Sequence, residues 1–218
     1  MVIIKVFVIG AHGQIGQRLI HLLAQQGHQV LAGVRNPDQI TETEDGKITP
    51  VNFNLEDLPE NLAPQLKGSD AIIFTAGSGG KTGADMTMLI DLDGAVKSMQ
   101  AAELAGVKRF VIVSALYTGD RSKWIKSMRP YYAAKFYADE WLLHQTDLDY
   151  TIVRPGTLTN DEGTGKVDVQ ETEDVPGSIS RDDVATVISE VITSSHASHK
   201  VFNVISGEKL IKKAINDL

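Results

Sequence analysis

Short apolar runs at 2–9, 30–34, 48–53, 71–75, 109–114, 150–153 and 201–205 punctuate the chain, with helix-like patterns between them. Several runs (VFVI, AIIF, FVIV) are continuously apolar. A strand with one wet face alternates, whereas a continuously apolar one is covered on both sides, as parallel strands are. Ile15, Leu19, Leu22 and Leu23 fall at i, i+4, i+7 and i+8, which predicts an amphipathic helix over 14–26. A second helix spans 86–105, with Gly106 as its C-terminal cap, and a third spans 130–145 with Pro130 in its first turn. Ser180-Arg181-Asp182-Asp183 opens another, with a hydroxyl cap and acids in the first turn, and the triplet after the serine reads as helix-start chemistry only.

Strand and helix in alternation predict an α/β fold: one Rossmann-type doubly wound, mainly parallel sheet with helices on both faces. Residues 156–180, rich in Gly, Thr and acids, break the alternation. They are expected to form a small substrate-binding elaboration on a single domain spanning 1–218.

Composition narrows the partners. A formal charge of -7 and a pI near 5.3 give a nucleic-acid backbone little to hold. The chain has no cysteine, which excludes disulfides, thiolate zinc sites and cysteine nucleophiles, and fits a reducing cytoplasm. The first run is interrupted by Lys5 and passes at once into glycines with no small-residue cleavage site, so it reads as a buried strand and not a signal peptide. No run approaches the ~20 apolar residues of a membrane span. His196 and His199 have a loose metal-like spacing without acidic or cysteine partners nearby in sequence, and no metal is expected. The expectation is a cytoplasmic protein acting on a small molecule, as a monomer or homodimer, with neither nucleic acid nor membrane as partner.

VFVIGAHGQIGQRL sets Gly10, Gly13 and Gly16 between a predicted strand and a predicted helix. Glycines there permit a tight turn and a close main-chain approach to a pyrophosphate at the positive end of the helix. The next strand ends LAGVRNPDQ, offering Arg35 where an NAD site of this fold usually has an acid for the ribose 2′-hydroxyl. A guanidinium pairs with a 2′-phosphate, so NADP is favoured over NAD.

In MRPYYAAKFYADEWL, Tyr131 and Lys135 stand one helical turn apart on a shared face, with Ala138 and Leu142 continuing it toward the core. The stretch alone reads as an amphipathic helix with polar tips. Tyr132 lies on an adjacent face and is expected to pack. Upstream, Arg121, Lys123, Lys126 and Arg129 outnumber Asp120 around Trp124. That loop is either solvated with one packed indole or a stacking face for an anionic or planar substrate.

With the glycine turn, Arg35, Ser114 ending the fifth strand and Tyr131-x-x-x-Lys135 in order, nearly the whole chain resembles the short-chain dehydrogenase/reductase superfamily. More narrowly it is similar to atypical members described as NAD(P)-dependent epimerase/dehydratase-like or NAD(P)H-binding proteins, near the NmrA-like and biliverdin/flavin reductase-like proteins. Their GATGxxG stands here as GAHGQIG, GVKRFVxVSS as GVKRFVIVSA, and RPG as Arg154-Pro155-Gly156. The resemblance implies that Gly10, His12, Gly13, Gln14, Ile15 and Gly16 line the pyrophosphate, Asn54 and Leu55 lie beside the adenine, and Ala76 and Gly77 lie beside the adenosine ribose. It sets Pro155, Gly156 and Thr157 against the nicotinamide. Asn54 replaces the usual aspartate, and Asp91 stands where many relatives have asparagine.

It also implies chemistry: Tyr131 as acid/base, Lys135 lowering its pKa and holding the nicotinamide ribose, and Ser114 hydrogen-bonding the reacting carbonyl. A tyrosine needs to fall by roughly 3 units, ~4 kcal/mol, to exchange protons near neutrality. One ammonium at ~4 Å supplies about that much at an effective dielectric of ~20, before burial is counted. The expected activity is hydride transfer between a nicotinamide and a small carbonyl, quinone-like or flavin-like compound. Two alternatives stand beside it, an NmrA-like dinucleotide sensor without catalysis and a small-substrate epimerase or dehydratase. After Gly156 only 218 − 156 = 62 residues remain, little for a nucleotide-sugar.

Overall fold

All seven apolar runs become neighbouring parallel strands. The computed structural model describes residues 2–41, 43–80, 82–171 and 175–218. In chain order the elements are β1 (Lys5–Ile9), α1 (Gln14–Gln25), β2 (Gln29–Val34), β3 (Ile48–Asn52), α2 (Pro59–Leu66) and β4 (Ala71–Phe74). There follow α3 (Ala84–Met86), a π-helical stretch (Thr87–Asp93), α4 (Gly94–Ala105), β5 (Arg109–Val113), α5 (Arg129–His144) and β6 (Asp149–Pro155). The last part holds β7 (Thr157–Thr159), β8 (Lys166–Gln170), β9 (Ser178–Ser180), α6 (Arg181–Val191), β10 (Lys200–Ser206), β11 (Lys209–Leu210) and α7 (Ile211–Asn216).

The larger sheet runs β11-β8-β10-β6-β5-β4-β1-β2-β3. From β3 to β10 every pair is parallel, and β8 and β11 are added antiparallel at one edge. The strand order reverses between β1 and β4, the switch point where this fold opens a crevice at the carboxyl ends of its strands.

Burial on both faces explains the apolar runs. In β1, Val6 and Val8 pack with residues of α1, α6 and α7, while Phe7 and Ile9 pack with α2, α4 and α5. Val2 and Ile3 remain 72% and 66% exposed, so the first strand begins at Lys5 and not at the first apolar residue.

Three local expectations hold. Gly106 ends α4 with φ +74° in the left-handed region. Pro130 sits in the first turn of α5. Ser180 caps α6, its hydroxyl accepting from the Asp183 amide at 3.0 Å.

The predicted helix over 86–105 is not uniformly α-helical. Seven of its residues form the π-helical stretch, a wider turn often found at functional sites. Residues 156–180 contain three short strands, two of which, β7 and β9, pair as a separate parallel ribbon.

Candidate active site

A cleft of about 910 Å³ crosses the carboxyl ends of the central strands. Its floor is the turn after β1. Gly10 has φ +83°, and a Cβ there would lie 2.7 Å from the Ala76 backbone, so this position needs glycine both for conformation and for space. The Gly13 amide donates to the Gly10 carbonyl at 2.9 Å, closing the turn, and Gly13 starts α1 with no side-chain cap. The first amides of α1 therefore lack intrahelical acceptors and face the cleft, where Gln14 and Ile15 are lining residues. This bare cradle fits a diphosphate, and the volume fits a bound dinucleotide.

Gly10, His12, Gly13, Gln14, Ile15, Arg35, Leu55, Ala76 and Gly77 all line this cleft, as do Ser114, Tyr131 and Lys135. Arg35 is exposed at its mouth, beyond β2. Gly16 does not line it. It lies beneath the turn, where a Cβ would collide with the Gly10 carbonyl. Asn54 is likewise set back: its side chain accepts from the Glu56 amide at 3.2 Å and shapes the turn after β3. Pro155, Gly156 and Thr157 do not line it: the first two are buried, Thr157 is exposed with its amide donating to the Gly177 carbonyl, and Leu158 reaches the cleft instead.

The polar centre is built on α5 and the π-helical stretch. Lys135 is buried, donates to the Val113 carbonyl at 3.2 Å, and pairs with Asp91 at 3.5 Å. The second oxygen of Asp91 accepts the Ser78 amide at 2.9 Å, tying the loop after β4 to the same carboxylate. In sequence Asp91 stands among apolar residues, in MLIDL.

One expectation about the chemistry needs correction. The Tyr131 phenol is pushed up, not down, from its ordinary pKa. Burial is the largest cause; Lys135 pulls downward, but the charge of Asp91 opposes it. Ser114 is held within a buried network. Its hydroxyl donates to Asp139 at 2.9 Å, and Arg154 holds the same oxygen from Nε and Nη2, each at 3.0 Å. Burial raises the Asp139 carboxyl to about 6, against the pull of Arg154 and Ser114.

Trp124 settles as a packed indole. It stacks on Tyr132 at 5.9 Å, meets Phe136 edge-on at 6.0 Å, and donates to the Tyr117 carbonyl at 3.1 Å. Tyr132 is buried, as its helical face implied. Arg181 and its neighbours do more than start a helix: Arg181 lines the cleft, Asp182 pairs with Arg18 of α1, and buried Asp183 accepts the Gly165 amide at 2.8 Å. No group of three or more His, Cys, Asp or Glu among the described residues could hold a metal ion, and no helix among them is long and apolar enough to cross a membrane.

Strand order, glycine turn and cleft define a Rossmann-type nucleotide-binding protein. The chain belongs to the NAD(P)H-binding family, whose model matches residues 10–195. It is 46% identical over 215 residues to a Bacillus subtilis protein named "Uncharacterized sugar epimerase YhfK", covering 98% of this chain and 100% of that one. The crystal structure of the oxidoreductase ylbE from Lactococcus lactis superposes with a TM-score of 0.91 at 39% identity, covering 98% of this chain and 96% of that one.

Proposed function

We propose that the protein is an NADP-dependent oxidoreductase that reduces a small carbonyl, quinone-like or flavin-like compound. The observation that carries this reading is the convergence of the bare glycine turn, Tyr131 and Lys135 on one cleft. The first amides of α1 hold the diphosphate, Arg35 meets the 2′-phosphate, and the small residues Ala76 and Gly77 leave room for the adenosine ribose. When bound, the reduced cofactor supplies the hydride.

The chain's own residues supply the proton. A phenol kept neutral by burial is a donor, so in the reductive direction Tyr131 gives its proton to the substrate oxygen as charge builds there. Hydride and proton together complete a two-electron reduction of the carbonyl. Lys135 stabilises the resulting phenolate, while Asp91 holds the ammonium in place. Ser114, whose single proton is donated to Asp139 without substrate, orients the substrate oxygen by turning that hydroxyl from the carboxylate toward it. The segment 156–180 borders the substrate end through Leu158, and α6 follows it with Arg181.

One observation favours the second reading, a dinucleotide sensor. Ser114 gives its one proton, and Lys135 two of its three, to protein groups. The test is NADPH oxidation across a panel of carbonyls, quinones and flavins by the natural protein and Tyr131→Phe. Turnover that falls about 100-fold or more in the variant supports the enzyme. Tight NADPH binding with no turnover of any compound supports the sensor.

A further inference from the structure

We infer that Arg181 receives an anionic group of the substrate, a carboxylate or an equivalent acid, which rests on the oxidoreductase reading above and names its substrate class. Arg181 is half-buried and lines the cleft. Its guanidinium donates to the Asn160 side-chain oxygen at 2.9 Å, a neutral partner. The two acids beside it in sequence are both engaged elsewhere. Asp182 is paired with Arg18, and Asp183 accepts from the Thr164 and Gly165 amides at 3.0 and 2.8 Å and from the Ser180 hydroxyl at 3.0 Å. Among the described residues no carboxylate pairs with Arg181. In a chain of net charge -7, a cleft-lining cation kept clear of its own neighbouring acids is a site for an anion.

Its place in the fold points to substrate. Arg181 directly follows β9, which pairs with β7, and Leu158 of β7 lines the cleft beside it. β7 follows β6, and β6 lies four strand positions from β2, after which Arg35 stands. At ~4.8 Å per strand that separation is roughly 19 Å. The glycine turn follows β1, three positions from β6, so a cofactor anchored at Arg35 and the turn leaves the β6 end for the second reactant. Helix α6 packs on α1, on the face opposite α5, so Arg181 and Tyr131 reach the same cleft from opposite faces of the sheet. An acid held by Arg181, with its body against Leu158, would present its reducible group between the two faces.

The test compares a naphthoquinone carboxylate with its methyl ester, measuring affinity for the protein saturated with oxidised cofactor, so that no turnover is needed. The natural protein is expected to bind the acid at least about tenfold more tightly than the ester, with that preference falling to near one in Arg181→Gln and partly restored in Arg181→Lys. NADPH affinity should change less than twofold in both variants. Equal affinity for acid and ester in the natural protein, or a preference that survives Arg181→Gln, overturns the assignment. So does a tenfold loss of NADPH affinity, which would give Arg181 to the cofactor's diphosphate. Absent hydride transfer alongside an Arg181-dependent acid preference would instead remove the oxidoreductase reading and keep the anion site.

Discussion

Lys135 and Asp91 face each other across 3.5 Å with their side chains 5% and 2% exposed. Such a pair is weak evidence for stability, because desolvation offsets much of the attraction, but breaking it strands a buried charge. Here it also modulates Tyr131, whose phenol is held above its ordinary pKa chiefly by burial. The carboxylate cancels part of the ammonium's pull, and the phenol remains neutral. Asp91→Asn keeps an acceptor for the Ser78 amide but removes the charge, leaving buried Lys135 without its counter-ion. The basic limb of the activity profile, assigned to Tyr131, is expected to move to lower pH. A profile that stays in place would show that Asp91 does not govern the phenol.

Arg35→Ala should reduce the ratio of NADPH to NADH affinity by about tenfold or more, since a charge-assisted contact to phosphate would be lost. NADH binding should be nearly unaffected. An unchanged ratio would place the 2′-phosphate elsewhere.

Gly10→Val should abolish NADPH binding or prevent folding, because the side chain would overlap the Ala76 backbone at a positive φ. The milder Gly10→Ala is expected to lower Tm and weaken NADPH binding together. Full affinity in that variant would contradict the cradle described for the turn.

Asp139 gives a pH signature. Its carboxyl rises from 3.8 to about 6 on folding, so its stabilising contribution is complete below about pH 4 and disappears as pH climbs through about 6. A difference of this size corresponds to ~3 kcal/mol at most. Lowering pH from about 7 to about 4 should therefore raise the stability of the natural protein relative to Asp139→Asn, as read by denaturant midpoints. His28, whose burial holds its imidazole below the ordinary value, affects both proteins alike. Parallel stability curves would mean that the carboxyl titrates normally.

Trp124→Ala should cost about 2–4 kcal/mol of stability through the lost stack on Tyr132 and leave NADPH affinity unchanged. A selective loss of substrate affinity at full stability would restore the indole as a binding face.

The parallel sheet was legible because burial on both faces writes itself into VFVI, AIIF and FVIV without alternation. The glycine turn was legible because strand, glycines and helix adjoin in sequence. The electrostatic centre was not. Helical spacing joined Tyr131 to Lys135, but nothing local connected Asp91 to Lys135 across 44 positions, or Ser114 to Asp139 and Arg154. The π-helical stretch that carries Asp91 has no sequence period distinct from an α-helix over so few residues. Strands β7 and β9 were hidden because each has three residues and their pairing spans a polar loop.

On the proposed function, the cleft over β1, β4 and β5 holds a nicotinamide dinucleotide. A calorimetric titration of the purified protein with NADPH tests it most directly. The expected result is saturable one-to-one binding in the micromolar range or tighter, with NADH weaker. Absence of heat and of saturation with both nucleotides would contradict it.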